Sequence, residues 1–364
     1  MAGLGRVSVV LFNLGGPDSL QAVGPFLFNL FRDPAIIALP NPLRWMIAKL
    51  ISRRRAPLAR GIYREMGGAS PILEETQVQA AALSKCLRTA HPATEWQVEI
   101  AMRYWHPFGH ETVGRVASFD PERIVLLPLY PQYSTTTTGS SAKDWQRAAA
   151  ACGLGKPTRL ICCYPDQPDF IAAQVGLIAK GIEGARRDAN GAPLRLLLSA
   201  HGLPRKVIAK GDPYQWQVER TVAAITRGLE ARGAVGTDMD VVTCYQSRVG
   251  PLEWIGPATE DEVKRAGADG RALVIAPIAF VSEHSETLVE LDIEYANLAR
   301  SAGVPAFVRV PALGADPAFI AGLAGLVTSA LRGDEGPAIT TGLADADACA
   351  AGFSRCPLAG GAGG

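Results

Sequence analysis

Short apolar runs rich in Val, Ile and Leu alternate along the chain with longer stretches of helical period. The runs predict strands over 7–13, 96–102, 123–128, 159–163, 194–200, 239–244, 272–278 and 306–310. The helical spacing predicts helices over 76–89, 110–118, 142–152, 169–187, 214–232, 283–302 and 317–331. Strands alternating with helices read as βαβ units, so the expected fold class is α/β with mainly parallel sheets covered by helices on both faces. Three of these strands precede residue 150 and five follow, and two similar lobes are expected, an N-terminal one over 1–152 and a C-terminal one over 153–333. The last helix is expected to pack back on the first lobe, and the Gly/Ala-rich stretch 334–364, with two cysteines, reads as a flexible tail.

With 364 residues, 48% of them hydrophobic, the chain has ample material for a buried core. A formal net charge of +1 gives no long-range attraction to nucleic acid, and Arg53-Arg54-Arg55 is the one basic block that stands out. The uncharged stretch 124–142 holds Pro128, Pro131 and seven Ser and Thr residues, so it cannot supply the ~20 apolar residues of a membrane span. The N-terminus runs almost at once into an apolar strand with no targeting segment ahead of it, so a cytoplasmic location is expected. Seven scattered cysteines argue for reduced thiols rather than a disulfide framework. The first strand opens into Asn13-Leu14-Gly15-Gly16-Pro17, where a nucleotide-binding fold would carry GxGxxG or a P-loop; neither is present, and no nucleotide is expected. Gly15 and Gly16 fit a plain turn or a flat ligand close to the backbone.

Five segments carry candidate chemistry. An apolar run ends at Ala200 and His201 follows at a strand mouth, where open α/β sheets place ligands and a partly solvated imidazole serves as base or metal ligand. After a second strand, Ser282 is placed to cap a helix on which Glu283, Glu286, Glu290 and Glu294 recur along one face. No Lys or Arg occurs between Val281 and Ala299, so these carboxylates need water, a cation, or groups from another element. With His201 and His284 they make a plausible mixed site for a divalent iron. The third segment, TCYQSRVGPLEWIGP (243–257), presents Tyr245, Arg248 and Trp254 on a rigid loop, or packs Trp254 in the core. The fourth, LYPQYSTTTTGSS (129–141), either holds carboxylates or forms ST-turns at a helix start. The fifth, 24–63, joins many large apolar residues to Arg44, Lys49 and Arg53–Arg55, as a membrane-surface helix, a lid or a core-facing helix pair would.

Taken together, FNLGGP (12–17), YREMGGASPI (63–72), YPQYSTTTTGSS (130–141), LLSAHGLP with GDPY (197–204, 211–214), CYQSRVGP with WIGP (244–251, 254–257) and SEHSETLVELDIEY (282–295) resemble the ferrochelatase family in order and spacing over roughly residues 8–332. The resemblance implies the chelatase fold, two Rossmann-like lobes with mainly parallel four-stranded sheets gripping a porphyrin in a cleft. It implies insertion of Fe²⁺ into protoporphyrin IX. His201 matches the active-site histidine, Glu286 the acidic residue facing it across the porphyrin, and Glu290 and His284 the metal-side path; His201 and Glu286 are the implied iron-holding pair. Leu14, Arg55, Tyr63, Tyr130, Ser134 and Trp254 match positions that line the porphyrin pocket or hold its propionates. The segment 24–55 matches the apolar lip that meets the membrane surface.

Two departures bear on this. Glu283 stands where many relatives have Asp. Some relatives hold a [2Fe–2S] cluster with four cysteines; here Cys152, Cys349 and Cys356 match ligand positions while Leu358 occupies the fourth, so a cluster would need Cys162, Cys163 or another ligand. No cofactor is expected for catalysis, since iron is the substrate. A coproporphyrin III or cobalt chelatase of the same family and a non-catalytic porphyrin carrier are the alternatives.

Overall fold

Nine strands run through the described residues: β1 (Arg6–Asn13), β2 (Glu95–Met102), β3 (Arg123–Pro128), β4 (Thr158–Ile161), β5 (Leu194–His201), β6 (Met239–Gln246), β7 (Ala272–Pro277), β8 (Phe307–Arg309) and β9 (Ala338–Thr340). This computed structural model describes residues 4–248, 250–332, 336 and 338–360. Residues 334, 335, 337 and 361–364 of the expected tail, and Val249 of the 244–251 motif, lie outside the described residues.

The chain divides into two units, Met1–Cys163 with Leu323–Gly342, and Tyr164–Gly322 with Leu343–Gly364. In the first, a five-stranded sheet has the order β2-β1-β3-β4-β9, and every pairing is parallel. Four strands were expected here. The fifth, β9, comes from the stretch read as tail and pairs Ala338, Ile339 and Thr340 with Arg159, Leu160 and Ile161. Ile339 is the one large apolar residue of this strand, so no apolar run marks it, whereas the equally short β8 lies within the run 306–310. The second unit has a four-stranded parallel sheet, β6-β5-β7-β8.

Both sheets are built from strands whose residues are apolar on both faces. Val7 and Val9 to Phe12 in β1, and Leu196 to Leu198 with Ala200 in β5, are buried. Helices therefore have to cover each sheet on both sides, as in doubly wound folds. The strand order is the same in the two units: the first strand lies inside, the second pairs on one side of it and the third on the other. The order thus reverses beside β1 and again beside β5, and at each reversal the carboxyl ends of two neighbouring strands open toward a crevice.

The acidic segment departs from the single helix predicted over 283–302. It is a short α-helix Ser285–Leu288, a π-helical turn Glu290–Tyr295 and a second α-helix Ala296–Ser301. The cap is His284 rather than Ser282. Because the π turn is wider than an α turn, the four glutamates do not form one straight stripe.

Candidate functional site

In the second unit, β5 and β7 are hydrogen-bonded neighbours, so the residue that ends β5 and those that follow β7 come out side by side. His201 Nδ1 lies 2.8 Å from Glu286 Oε2. The resemblance places these two groups on opposite sides of a porphyrin; here they are in contact on one wall. Adjacency of the two strands in one sheet is the physical reason. A carboxylate only accepts, so Nδ1 carries the hydrogen and, in the neutral tautomer, Nε2 keeps a lone pair. The side chains of His201 and Glu286 remain 36% and 26% exposed.

The groups around the pair fix it. Tyr214 Oη donates to the His201 carbonyl at 3.0 Å. Gln246, which ends β6, donates to the Glu286 carbonyl at 2.8 Å. His284 donates from Nδ1 to the Ser282 carbonyl at 3.1 Å, which turns its Nε2 toward Glu286 Oε2 at 3.9 Å. The Phe280 ring packs edge-on against both imidazoles, 4.7 Å from His284 and 6.4 Å from His201. Glu290 accepts from the Ser247 backbone at 2.8 Å, from the Ser247 hydroxyl, from Gln246 at 3.1 Å and from Tyr295 at 2.8 Å. Ser247 adopts φ 62°, a left-handed conformation that aims its N–H and hydroxyl at one carboxylate. The unpartnered charge noted on the acidic helix is met from another element: Arg309, ending β8, pairs with both Glu283 and Asp292.

Electrostatics follow from these contacts. Burial is the largest single influence on His201 and works against the imidazolium. The attraction of Glu286 and its hydrogen bond, with Glu290 behind, exceed it and raise the His201 pKa above its ordinary value. Burial likewise opposes ionisation of Glu286, but the His201 charge and hydrogen bond, with the His284 ring beyond them, hold that carboxyl well below the usual range. Glu294 titrates upward, through burial and then repulsion by Glu290. Among the described residues no three His, Cys, Asp or Glu side chains are placed to hold one metal ion together.

Trp254 lies against the turn that follows His201. It bridges Pro204, and its ring leaves no space at Gly202, where a Cβ would meet Trp254 Cε3 at 3.3 Å and the Gln246 carbonyl at 3.0 Å. Its buried indole N–H has no partner among the described residues.

The corresponding mouth of the first unit is built from other chemistry. Leu14 follows β1 and packs with the cluster of Val23, Phe26, Leu27, Ala56, Tyr63 and Tyr104. Gly16 is needed here, because a Cβ would stand 2.5 Å from Ser70. Arg55 lies 5.9 Å from the centre of the Phe31 ring. Tyr130 follows β3; its buried hydroxyl finds no partner among the described residues, and burial pushes its phenol pKa up. Ser134 is buried and accepts from the Thr136 N–H at 3.1 Å, while its carbonyl takes the N–H groups of Thr137 and Gly139. The hydroxyl-rich segment thus forms an ST-turn opening the helix Thr138–Cys152. Asp33 is held by Arg103 at 2.8 Å, by Tyr104 at 2.8 Å and by Ser140.

Segment 24–55 forms most of two helices, Val23–Arg32 and Leu43–Glu65. One face packs inward through Val23, Phe26, Leu27, Ala48 and Ala56. The other leaves Leu43, Trp45, Met46 and Leu50 exposed beside Lys49, whose ammonium sits over the Trp45 ring. No described helix is long and apolar enough to cross a membrane.

All seven cysteines are thiols. Cys349 Sγ donates to Cys356 Sγ at 3.4 Å in the second unit, and Cys162 and Cys163 lie 3.5 Å apart in the first. Cys152, also in the first unit, is exposed at the end of its helix. The hydrogen bond from Cys349, with N–H groups of Leu358 and Ala359, outweighs burial and brings the Cys356 pKa down to about 6. A [2Fe–2S] cluster needs four ligands gathered at one point. The described residues gather two thiols at most, so they do not fit one.

A family model described as Ferrochelatase matches residues 6–331. The chain belongs to the ferrochelatase family. The ferrochelatase of Phenylobacterium zucineum (strain HLK1) is 54% identical over 326 residues, covering 90% of this chain and 92% of that one. The ferrochelatase of Caulobacter vibrioides (strain NA1000 / CB15N) is 50% identical over 357 residues, covering 98% and 99%. Among solved structures, SirB from Bacillus subtilis with Fe³⁺ matches over 90% of this chain and 96% of its own with a TM-score of 0.50 at 14% identity, a likeness of fold alone. Against this ferrochelatase background, His201, Glu286 and Glu290 come together at one strand mouth, with Trp254 against the same turn. Leu14 and Tyr63 share one apolar cluster of the first unit. Sequence reasoning passed over Tyr214, Gln246, Ser247, Phe280 and Arg309. Gln246 and Ser247 had a signal, since they close an apolar strand as His201 does. Arg309 had none, because nothing local ties it to Glu283.

Proposed function

We propose that this chain is the ferrochelatase of haem biosynthesis, exchanging the two pyrrole protons of protoporphyrin IX for Fe²⁺ to give protohaem. The observation that carries this reading is the hydrogen-bonded pair His201–Glu286 at the mouth of β5. Glu286 fixes the tautomer, so His201 Nε2 takes a pyrrole proton, and the imidazolium that forms is stabilised by the carboxylate beside it. Before it takes that proton, His201 Nε2 together with Glu286 holds the incoming iron, a hard-to-borderline ion suited to imidazole and carboxylate together. Glu290, with four donors around it, stands behind Glu286 on the same wall and is the next carboxyl of the path. Iron is the substrate, and the reaction needs no resident cofactor and no nucleotide.

The residues assigned to the porphyrin are Leu14, Arg55, Tyr63, Tyr130 and Ser134 in the first unit and Trp254 in the second. The unpartnered Tyr130 hydroxyl and Trp254 indole N–H are donors of the kind a porphyrin carboxylate would satisfy. The exposed apolar side chains of 24–55, edged by Lys49, Arg53 and Arg54, support peripheral contact with the inner face of the cell membrane from the cytoplasm, and favour protoporphyrin over the more polar coproporphyrin.

The test is an anaerobic assay of Fe²⁺ insertion into protoporphyrin and coproporphyrin with wild type, His201→Ala and Glu286→Ala. Turnover of protoporphyrin by wild type and its collapse in both variants is expected. Unaltered turnover in the variants would remove the mechanism, and preference for coproporphyrin would remove the substrate assignment.

A further inference from the structure

The C-terminal thiols are built into the second unit with more care than a loose tail requires. Cys349 lies on the helix Ala346–Gly352 and Cys356 just after it, both buried, with their sulfurs 3.4 Å apart. The residues between them are tied to the segment that follows β5. Arg355 N–H donates to the Gly211 carbonyl at 3.1 Å and Ser354 to the Lys210 carbonyl at 3.4 Å. The Phe353 ring packs 5.5 Å from that of Trp216, and Gln217 donates to Cys349 Sγ at 3.5 Å. Gly211 has φ +88°, and a Cβ there would stand 2.3 Å from Ser354 Oγ, so the chain at 211 is shaped to receive this loop. Three residues on, Tyr214 holds the His201 carbonyl. Among the described residues no third or fourth ligand is gathered at the pair, so metal-cluster binding does not account for the arrangement.

We infer that Cys349 and Cys356 form a peroxide-oxidisable dithiol whose disulfide fastens the 349–356 loop against residues 210–217. The sulfurs need to close by about 1.4 Å to reach the ~2.05 Å of an S–S bond, a shift within the reach of side-chain rotation at the end of a short helix. In the first step the Cys356 thiolate attacks one oxygen of hydrogen peroxide, the O–O bond breaks, and a sulfenic acid and hydroxide result. In the second, the Cys349 sulfur attacks the sulfenic sulfur, the S–OH bond breaks and, with its proton, hydroxide leaves as water. One peroxide is reduced to two waters as two thiols become one disulfide. The inference does not depend on the iron-insertion reading, since it concerns sulfur chemistry measured without porphyrin or iron.

The test uses the full-length wild-type protein, purified without reductant, exposed briefly to stoichiometric hydrogen peroxide, alkylated and digested with trypsin. Cleavage after Arg332 and Arg355 puts the two cysteines on separate peptides, 333–355 and 356–364. The expected result is a single species equal to the sum of these two less two hydrogens, which reductant splits, and its absence in Cys356→Ser. Recovery of both peptides alkylated while Cys152 or the Cys162–Cys163 pair is oxidised overturns the proposal. Visible absorption of a [2Fe–2S] centre in the protein as purified overturns it as well.

Discussion

The two strand mouths share one topology and differ in the cation each sets against its carboxylate. In the first unit Asp33 meets Arg103 at 2.8 Å, with side chains 2% and 13% exposed; in the second Glu286 meets His201 at the same distance, with side chains 26% and 36% exposed. A guanidinium keeps its proton at every pH a protein tolerates, whereas an imidazole exchanges its proton near neutrality. The first pair is therefore a fixed brace, and the second is a proton-exchanging device left open to its substrate. Identical strand order thus determines where a site sits and leaves its chemistry to the residues that follow the strands.

The largest effect that separates the two mouths is expected from His201→Ala, which should lower kcat/KM for iron insertion by about 10²–10⁴-fold. Comparable turnover in the variant would erase the distinction. Next comes Arg103→Met, which leaves the buried Asp33 without its cation and should cost about 3 kcal/mol in denaturant unfolding, as loss of one partner of a buried pair does. If its main effect were on turnover at unchanged stability, the brace would be misassigned. Gly16→Ala should destabilise by about 1–3 kcal/mol through its clash with Ser70, and Gly16→Ala/Ser70→Gly should recover most of that. Tyr130→Phe, at the first mouth, is expected to raise KM several-fold for about 1 kcal/mol of lost hydrogen bonding, with kcat retained.

The smallest effect is a displacement in pH. Activity needs the unprotonated His201, whose pKa Glu286 raises, so the acid limb of kcat/KM should move to lower pH in Glu286→Gln. The same contact bears on stability. The raised His201 pKa contributes below its ordinary 6.5 and is lost as pH rises through the folded value. The lowered Glu286 pKa contributes above 4.5 and is lost as pH falls. The gap in thermal midpoint between wild type and Glu286→Gln should therefore be widest between 4.5 and 6.5. A constant gap across that range would show that the pair does not titrate.

What the sequence made legible was whatever repeats locally. Eight strands are long or apolar enough to show as runs, and His201 showed because a polar residue ends one of them. The acidic segment showed through its spacing, but its π turn did not, because a wider turn changes hydrogen-bond partners without changing residue types. Arg309 was invisible from Glu283 because the rule of four looks only along one helix, and this partner arrives from a strand 26 residues away. The contact between His201 and Glu286 follows from the pairing of β5 with β7, a long-range fact that no local period encodes.

Strand β9 has a consequence for the order in which the molecule is made. Its partner β4 ends at Ile161, yet β9 begins at Ala338, so the first sheet keeps an open edge while more than half of the second unit is being synthesised. A growing chain must carry that edge, rich in unpaired N–H and C=O groups, until residues 338–340 have emerged. A chain stopped before 338 would have all the groups of the His201 mouth and still lack the strand that closes the other sheet.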